Sequence, residues 1–270
     1  MRAVPQILIA VLSFAPPAWT AAGDRIEDNS FLIEEAYNQE PGVVQHISAF
    51  ERSIGGEWAY AFTEEWPVFS QDHQLAVTLP VERVGERAAS ATGLADLQLH
   101  YRYAFYREEE APVAGALRLS VLLPTGNETK GLGAGGVGFQ VNVPISVNLG
   151  DRFVTHWNAL GTYVPAAWNG ASWDSVTGWA VGQSFVWLAR PWFNLLVEAL
   201  WEETETSGDG GAARTTSLTV NPGFRAAFDV GSLQIVWGAA VPLGVGPSRG
   251  DRGVFLYLSF EHPLPGTPRS

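Results

Sequence analysis

The chain has 270 residues, of which 46% are hydrophobic, 12% aromatic and only 16% charged, whereas ordinary soluble domains carry roughly 25% charged residues. Mean hydropathy is near neutral at +0.04, too low for a bundle of membrane helices, and the aromatic content excludes a disordered chain. The absence of cysteine rules out a disulfide framework, a thiolate metal site and a lipidated N-terminal cysteine, and a net charge of −12 argues against nucleic acid, which needs a basic face.

The first 22 residues read as a signal peptide. Arg2 precedes an apolar run from Ile7 to Ala15, too short to span a bilayer as a helix, and small residues follow up to Ala22. Residues 23–42 form an acidic segment that precedes the first strand and ends in Pro41-Gly42. From Val43 onward the dominant period is two. Twelve candidate strands follow: 43–52, 57–67, 73–81, 94–106, 113–124, 137–149, 152–163, 177–188, 192–202, 215–228, 233–243 and 253–261. In 137–149, for example, Phe139, Val141, Val143 and Ile145 oppose Gln140, Asn142, Pro144 and Ser146. Each strand therefore has an apolar face and a polar or small-residue face.

Most of these strands are long enough to cross a bilayer at a tilt, which takes about 9–11 residues. Their connections alternate between tight turns and longer loops rich in Gly, Asn, Asp and Thr, except for the short first loop, Ser53 to Gly56. That asymmetry, on an even number of strands, predicts an antiparallel outer-membrane β-barrel over 43–262 with both termini periplasmic and a tail at 263–270. The alternative architecture is a soluble double-layer sandwich, which gives no reason for two-sided loop lengths. Trp58, Trp66, Tyr101, Tyr103, Trp157, Trp179, Trp187, Trp192, Trp201 and Trp237 mostly fall near strand ends, where amphipathic rings meet lipid headgroups. The last strand ends at the aromatic Phe260, similar to the C-terminal signal read by the outer-membrane assembly machinery, although further residues follow it here.

With apolar faces toward lipid, the opposite faces line the lumen. The candidates are Asp96, Gln98, His100, Arg102, Arg118, Gln140, Asn142, Asn194, Glu198 and Arg225, with Gln234 beside them. Such a lining serves either a water-filled, solute-binding passage or a salt-bridged interior that only satisfies itself. In the N-terminal segment, Glu34, Glu35 and Glu40 are candidates to enter the lumen and pair with Arg102 and Arg118 as a plug; the other reading is a loosely attached acidic tail. The Gly-rich run 131–138 lacks the Lys-Ser/Thr of a phosphate loop. The five histidines, 46, 73, 100, 156 and 262, have no zinc-like spacing, and the acidic run 203–211 has no ordered calcium-ligand spacing. His156 shares a face with Asn158, where outer-membrane phospholipases place a nucleophilic serine, so the pattern carries no catalysis.

Five stretches in order, 28–47, 93–103, 155–165, 182–199 and 241–263, resemble the family of outer-membrane transporters named after the meta-pathway of phenol degradation. The resemblance spans essentially the mature chain. It implies a barrel passing small hydrophobic or aromatic solutes, and it brings no catalytic residues. The expectation is a narrow passive channel with lipid and the assembly machinery as partners and no cofactor or metal. A non-conducting structural or sensing barrel with a filled lumen and, third, a lipid-acting enzyme are the competing classes.

Overall fold

Period-two alternation leaves every strand with two dissimilar faces, and an antiparallel sheet built from such strands has no reason to stop at an edge. Closure removes both edges and segregates the faces to inside and outside. In the computed structural model, which describes residues 26, 30–85, 90–106, 112–208 and 211–264, the chain does this. The strands are β1 (Val43–Ser53), β2 (Trp58–Val68), β3 (Ser70–Val84), β4 (Ala91–Leu94), β5 (Leu97–Tyr106), β6 (Val113–Leu123), β7 (Gly138–Asn148), β8 (Phe153–Trp168), β9 (Trp173–Arg190), β10 (Phe193–Gly208), β11 (Gly211–Val230), β12 (Leu233–Ala240), β13 (Leu243–Gly244) and β14 (Gly253–Pro263). All but β4 and β13 are staves of a closed antiparallel barrel of 12 strands. β4 pairs only with β3, and β13 with β11. The seam joins β1 to β14 in unbroken register from Val43 opposite Pro263 to Ser53 opposite Gly253. The signal-peptide assignment at 1–22 lies outside the described residues.

The outer surface carries the apolar half of the alternation. Leu75, Leu99, Leu119, Phe139, Val141, Val181, Phe185, Val197, Leu256 and Leu258 are all exposed, with Trp157, Trp179, Trp187, Trp192 and Trp237 among them. An apolar belt of this size is what lipid, and not water, would cover. No described helix is long and apolar enough to cross a membrane.

Two expected loops are strand instead. β8 to β11 run 16, 18, 16 and 20 residues, so most of the connections drawn at 164–176 and 203–214 is strand: β8 pairs with β9 out to Trp168 opposite Trp173, and β10 with β11 out to Gly208 opposite Gly211. Outside a membrane neither strand face needs to be apolar. Glu203, Thr204, Glu205 and Thr206 pair with Thr216, Thr215, Arg214 and Ala213 without any hydrophobic alternation to mark them. At the other end of the barrel the turns stay tight. The turn between β2 and β3 is the single residue Phe69, which is fully exposed and has a φ of 61°.

Candidate functional site

Residues 30–40 do not pair with the sheet as a strand. They run irregularly inside the barrel, where the inward side chains of nearly every stave meet them. The tightest anchor is Glu198 on β10, whose side chain is fully buried. Its Oε1 accepts from three successive backbone amides, Phe31 at 2.9 Å, Leu32 at 2.8 Å and Ile33 at 3.0 Å. Its Oε2 accepts from Asn221 Nδ2 on β11 at 2.7 Å. Consecutive amides turned to one point make a nest for an anion, and here the barrel wall supplies the anion. Hydrogen bonds to a charged acceptor contribute about 1.5–3 kcal/mol each, so this contact alone is a strong hold.

The neighbouring staves continue it. Ser30 and Ser184 share a hydrogen bond of 2.8 Å. Asn158 reads the backbone of Glu34 twice, accepting from its N–H and donating to its carbonyl, each at 2.9 Å, and it accepts from Asn142 at 3.2 Å. Ser146 Oγ accepts from the Ala36 amide at 2.9 Å and lies 2.8 Å from His156 Nδ1. On the far side of the His156 ring is Nε2. That atom faces Glu35 Oε1 at 3.9 Å. Ser146, His156 and Glu35 thus form a chain of contacts, but all three are buried under the segment itself. The serine is occupied by Ala36, so the chain positions the segment.

Two of the segment's carboxylates, Glu34 and Glu35, turn to opposite walls. Glu35 Oε1 accepts from Arg225 Nη1 at 3.1 Å, while Arg225 Nη2 donates to the Ile26 carbonyl at 3.0 Å. Asn194, its amide oriented by the hydrogen-bond network, accepts from Arg225 Nε at 3.2 Å. Glu34 Oε1 lies 2.7 Å from Arg118 Nη2, which also donates to Gln140 at 2.8 Å. Arg118 Nη1 donates to His100 Nδ1 at 2.8 Å. A guanidinium donating there keeps the imidazole neutral, with its Nε2–H toward Thr78 Oγ1 at 3.0 Å. Strand register sets Arg102 directly opposite Arg118. Two like charges in that relation repel, and each has its own counter-charge: Glu65 at 3.6 Å from Arg102, Glu34 on Arg118. Arg102 Nε also donates to Asn38 at 2.9 Å, and Gln39 N donates to Gln74 at 2.8 Å.

Apolar groups complete the fit. Phe31 stacks against Phe255 and Tyr257, with ring centroids 5.2 and 5.6 Å away. Its ring occupies space that a Cβ at Gly238 would enter, 2.5 Å from Phe31 Cζ, and Ile33 Cδ1 sits 2.2 Å from where a Cβ on Gly182 would be. The wall is therefore notched by glycine where the segment needs room. On the side of β1, β2, β3, β5 and β6 the fit is looser. A cavity of about 210 Å³ remains between residues 30–34 and that wall, lined by Ile47, Ala49, Glu65, Ala76, Arg102 and Arg118 among others.

Two of the expected lining and plug residues stand elsewhere. Asp96 accepts from Gly126 N at 3.0 Å and Ala134 N at 2.7 Å and so pins the loop between β6 and β7. It anchors a loop and is no part of the constriction. Glu40 is exposed, and its carbonyl accepts from Val43 N at 3.0 Å where β1 begins. Gln98 and Gln234 are half-buried inward positions toward the two ends of the barrel. Sequence reasoning missed Ser146, Asn158, Ser184 and Asn221, small polar residues that nothing distinguishes from lumen filler. It also missed the inward Phe255 and Tyr257, because it sent apolar residues to lipid. Among the described residues no group of three His, Asp or Glu side chains is placed to hold a metal ion.

No protein-family model matches the chain, and no curated protein matches it. Solved structures do. An outer membrane channel from Pseudomonas putida F1 superposes with a TM-score of 0.66 at 14% identity, over 84% of this chain and 97% of that one. The KdgM porin in complex with disordered oligogalacturonate gives 0.49 at 7% identity, over 82% and 99%. The NanC porin gives 0.48 at 8%, over 82% and 100%. The first of these likenesses establishes the architecture: this chain has the closed antiparallel barrel fold of an outer membrane channel.

Proposed function

We propose that this protein is a narrow passive channel of a bacterial outer membrane, closed by its own residues 30–40. The observation that carries the reading is the convergence of the Phe31, Leu32 and Ile33 amides on the buried Glu198 carboxylate. A wall carboxylate needs such a nest only if the segment belongs in the lumen. The short turns then face the periplasm, as do both termini after removal of residues 1–22, and the long hairpins of β8 to β11 face outward. The apolar belt makes the lipid bilayer its solvent, and Phe260, near the end of β14, is the feature the assembly machinery would read. Residues 30–40 act as a plug whose displacement widens the path. The family resemblance makes small hydrophobic or aromatic compounds the candidate solutes. The apolar side chains of Phe31, Ile47, Ala49 and Tyr257 beside the remaining cavity suit an apolar solute body.

Deletion of residues 24–42 tests this directly. In planar bilayers the deletion variant is expected to conduct at least five times better than the intact chain, and in liposome swelling to admit sugars and small aromatics that the intact chain excludes. Heat-modifiable migration and circular dichroism confirm a folded barrel. A folded deletion variant with background conductance and swelling would leave a structural or sensing barrel and end the channel reading.

A further inference from the structure

The ion pair between Glu34 and Arg118 is only half used. Oε1 of Glu34 meets Nη2 of Arg118 at 2.7 Å, but Glu34 Oε2 and Arg118 Nε, both enclosed, have no hydrogen-bond partner among the described residues. A guanidinium and a carboxylate left free to choose form two parallel bonds, so the plug's own carboxylate reaches Arg118 in a poor geometry. This pair lies on the wall of the 210 Å³ cavity. An apolar cavity of about 150 Å³ holds a benzene molecule, so this one has room for a single ring or a short chain with a small polar head. Its lining divides accordingly. Ile47, Ala49, Ala76 and Tyr257 offer apolar surface, while Arg118 and Arg102 stand at the polar end.

We propose that this cavity binds a small monocarboxylate with an apolar body, whose carboxylate takes the place of Glu34 on Arg118. Exchange of one carboxylate for another leaves the local charge unchanged, whereas a cation would meet two opposed guanidiniums. A neutral solute would have to leave Arg118 uncompensated if it moved Glu34, and a buried cation stripped of its partner is costly. The incoming group gains a two-toothed contact that Glu34 lacks, and its arrival frees the Glu34 side chain from β6 while its backbone stays on Asn158. The site names a solute class for the constriction of the proposed channel, and in that sense it rests on that reading. Binding itself does not require the lumen to open.

The full-length protein folded in detergent, titrated with 4-fluorobenzoate and followed by ¹⁹F NMR, tests the assignment, with 4-fluorobenzyl alcohol as the neutral counterpart. Saturable binding of the carboxylate is expected, about tenfold tighter in Glu34→Gln, which removes the competing charge. Binding should weaken at least tenfold in Arg118→Gln. Arg118→Lys, which keeps the charge and loses the fork, should fall between Arg118→Gln and the natural protein. The alcohol should respond to none of these changes. Equal affinity for acid and alcohol, or indifference of the acid to Arg118→Gln and Arg118→Lys in folded barrels, would overturn the site. The channel reading fails separately: Arg118-dependent binding alongside a silent 24–42 deletion variant would keep the site and discard the channel, and conductance without such binding would do the reverse.

Discussion

The two sides of the lumen hold the same segment in different ways. Against β7 to β11 and β14, residues 30–36 are gripped mainly through their backbone: three amides on Glu198, both polar groups of residue 34 on Asn158, one amide on Ser146. Phe31 and Ile33 fill notches cut by glycine. Against β1 to β6 the hold is chiefly through side chains, Glu34 on Arg118 and Asn38 on Arg102, and a solute-sized gap stays open. The contrast teaches where movement begins. A main-chain grip reads every residue type alike and releases only as a unit, whereas a side-chain ion pair can be exchanged for a competitor. In the channel proposed above, the gripped side would fix the closed state, and the gapped side is where a solute would intervene.

Three substitutions separate the two sides, and absence of native cysteine makes their readout clean. With Ser30→Cys as the sole thiol, buried in the docked segment, maleimide labelling rate reports release. Glu198→Ala should have the largest effect, because it leaves three amides and Asn221 without their acceptor. A loss of about 3 kcal/mol corresponds to labelling roughly a hundredfold faster, with conductance approaching that of the 24–42 deletion. If labelling stays slow, the grip is not on Glu198. Gly182→Leu comes next. Its side chain would overlap Ile33, and overpacking of this kind costs about 1–3 kcal/mol, so labelling should accelerate roughly tenfold while the barrel stays folded. Ala76→Leu is the matched change on the open side and should have the smallest effect. It places the same side chain in the cavity, and labelling should change less than twofold while any residual conductance of the intact protein drops. Equal responses to Gly182→Leu and Ala76→Leu would erase the difference between the sides.

The barrel was legible because one face of each stave turns outward and is largely apolar while the other turns into the lumen. Alternation at period two marks a strand wherever two unlike solvents meet it, and it sorts Arg102, Arg118, Glu198 and Arg225 from Leu99, Leu119 and Val197 without further information. It fails where the solvents become alike. The long hairpin ends of β9 to β11 lose the pattern, although Thr204, Thr206, Thr215 and Thr216 keep the β-branched character that favours strands. It fails again where the inside is apolar: Phe255 and Tyr257 point inward because Phe31 is there to meet them. The nest on Glu198 had no signature to find. Its donors are backbone amides, present at every residue but proline, and only the turn of the chain at 31–33 gathers them.

The seam between the first and last staves has a consequence for how the molecule is made. β1 finds β14 only after the entire chain has been delivered, and the partners of the segment on β7 to β11 lie 110 to 190 residues downstream of it. Pairings so distant in sequence form late. An unfinished barrel therefore has neither a complete wall nor a complete grip on residues 30–36, and the final staves supply both together. In the channel proposed above, such a barrel is born shut, and its open form is something done to a finished molecule, never a stage left over from its construction.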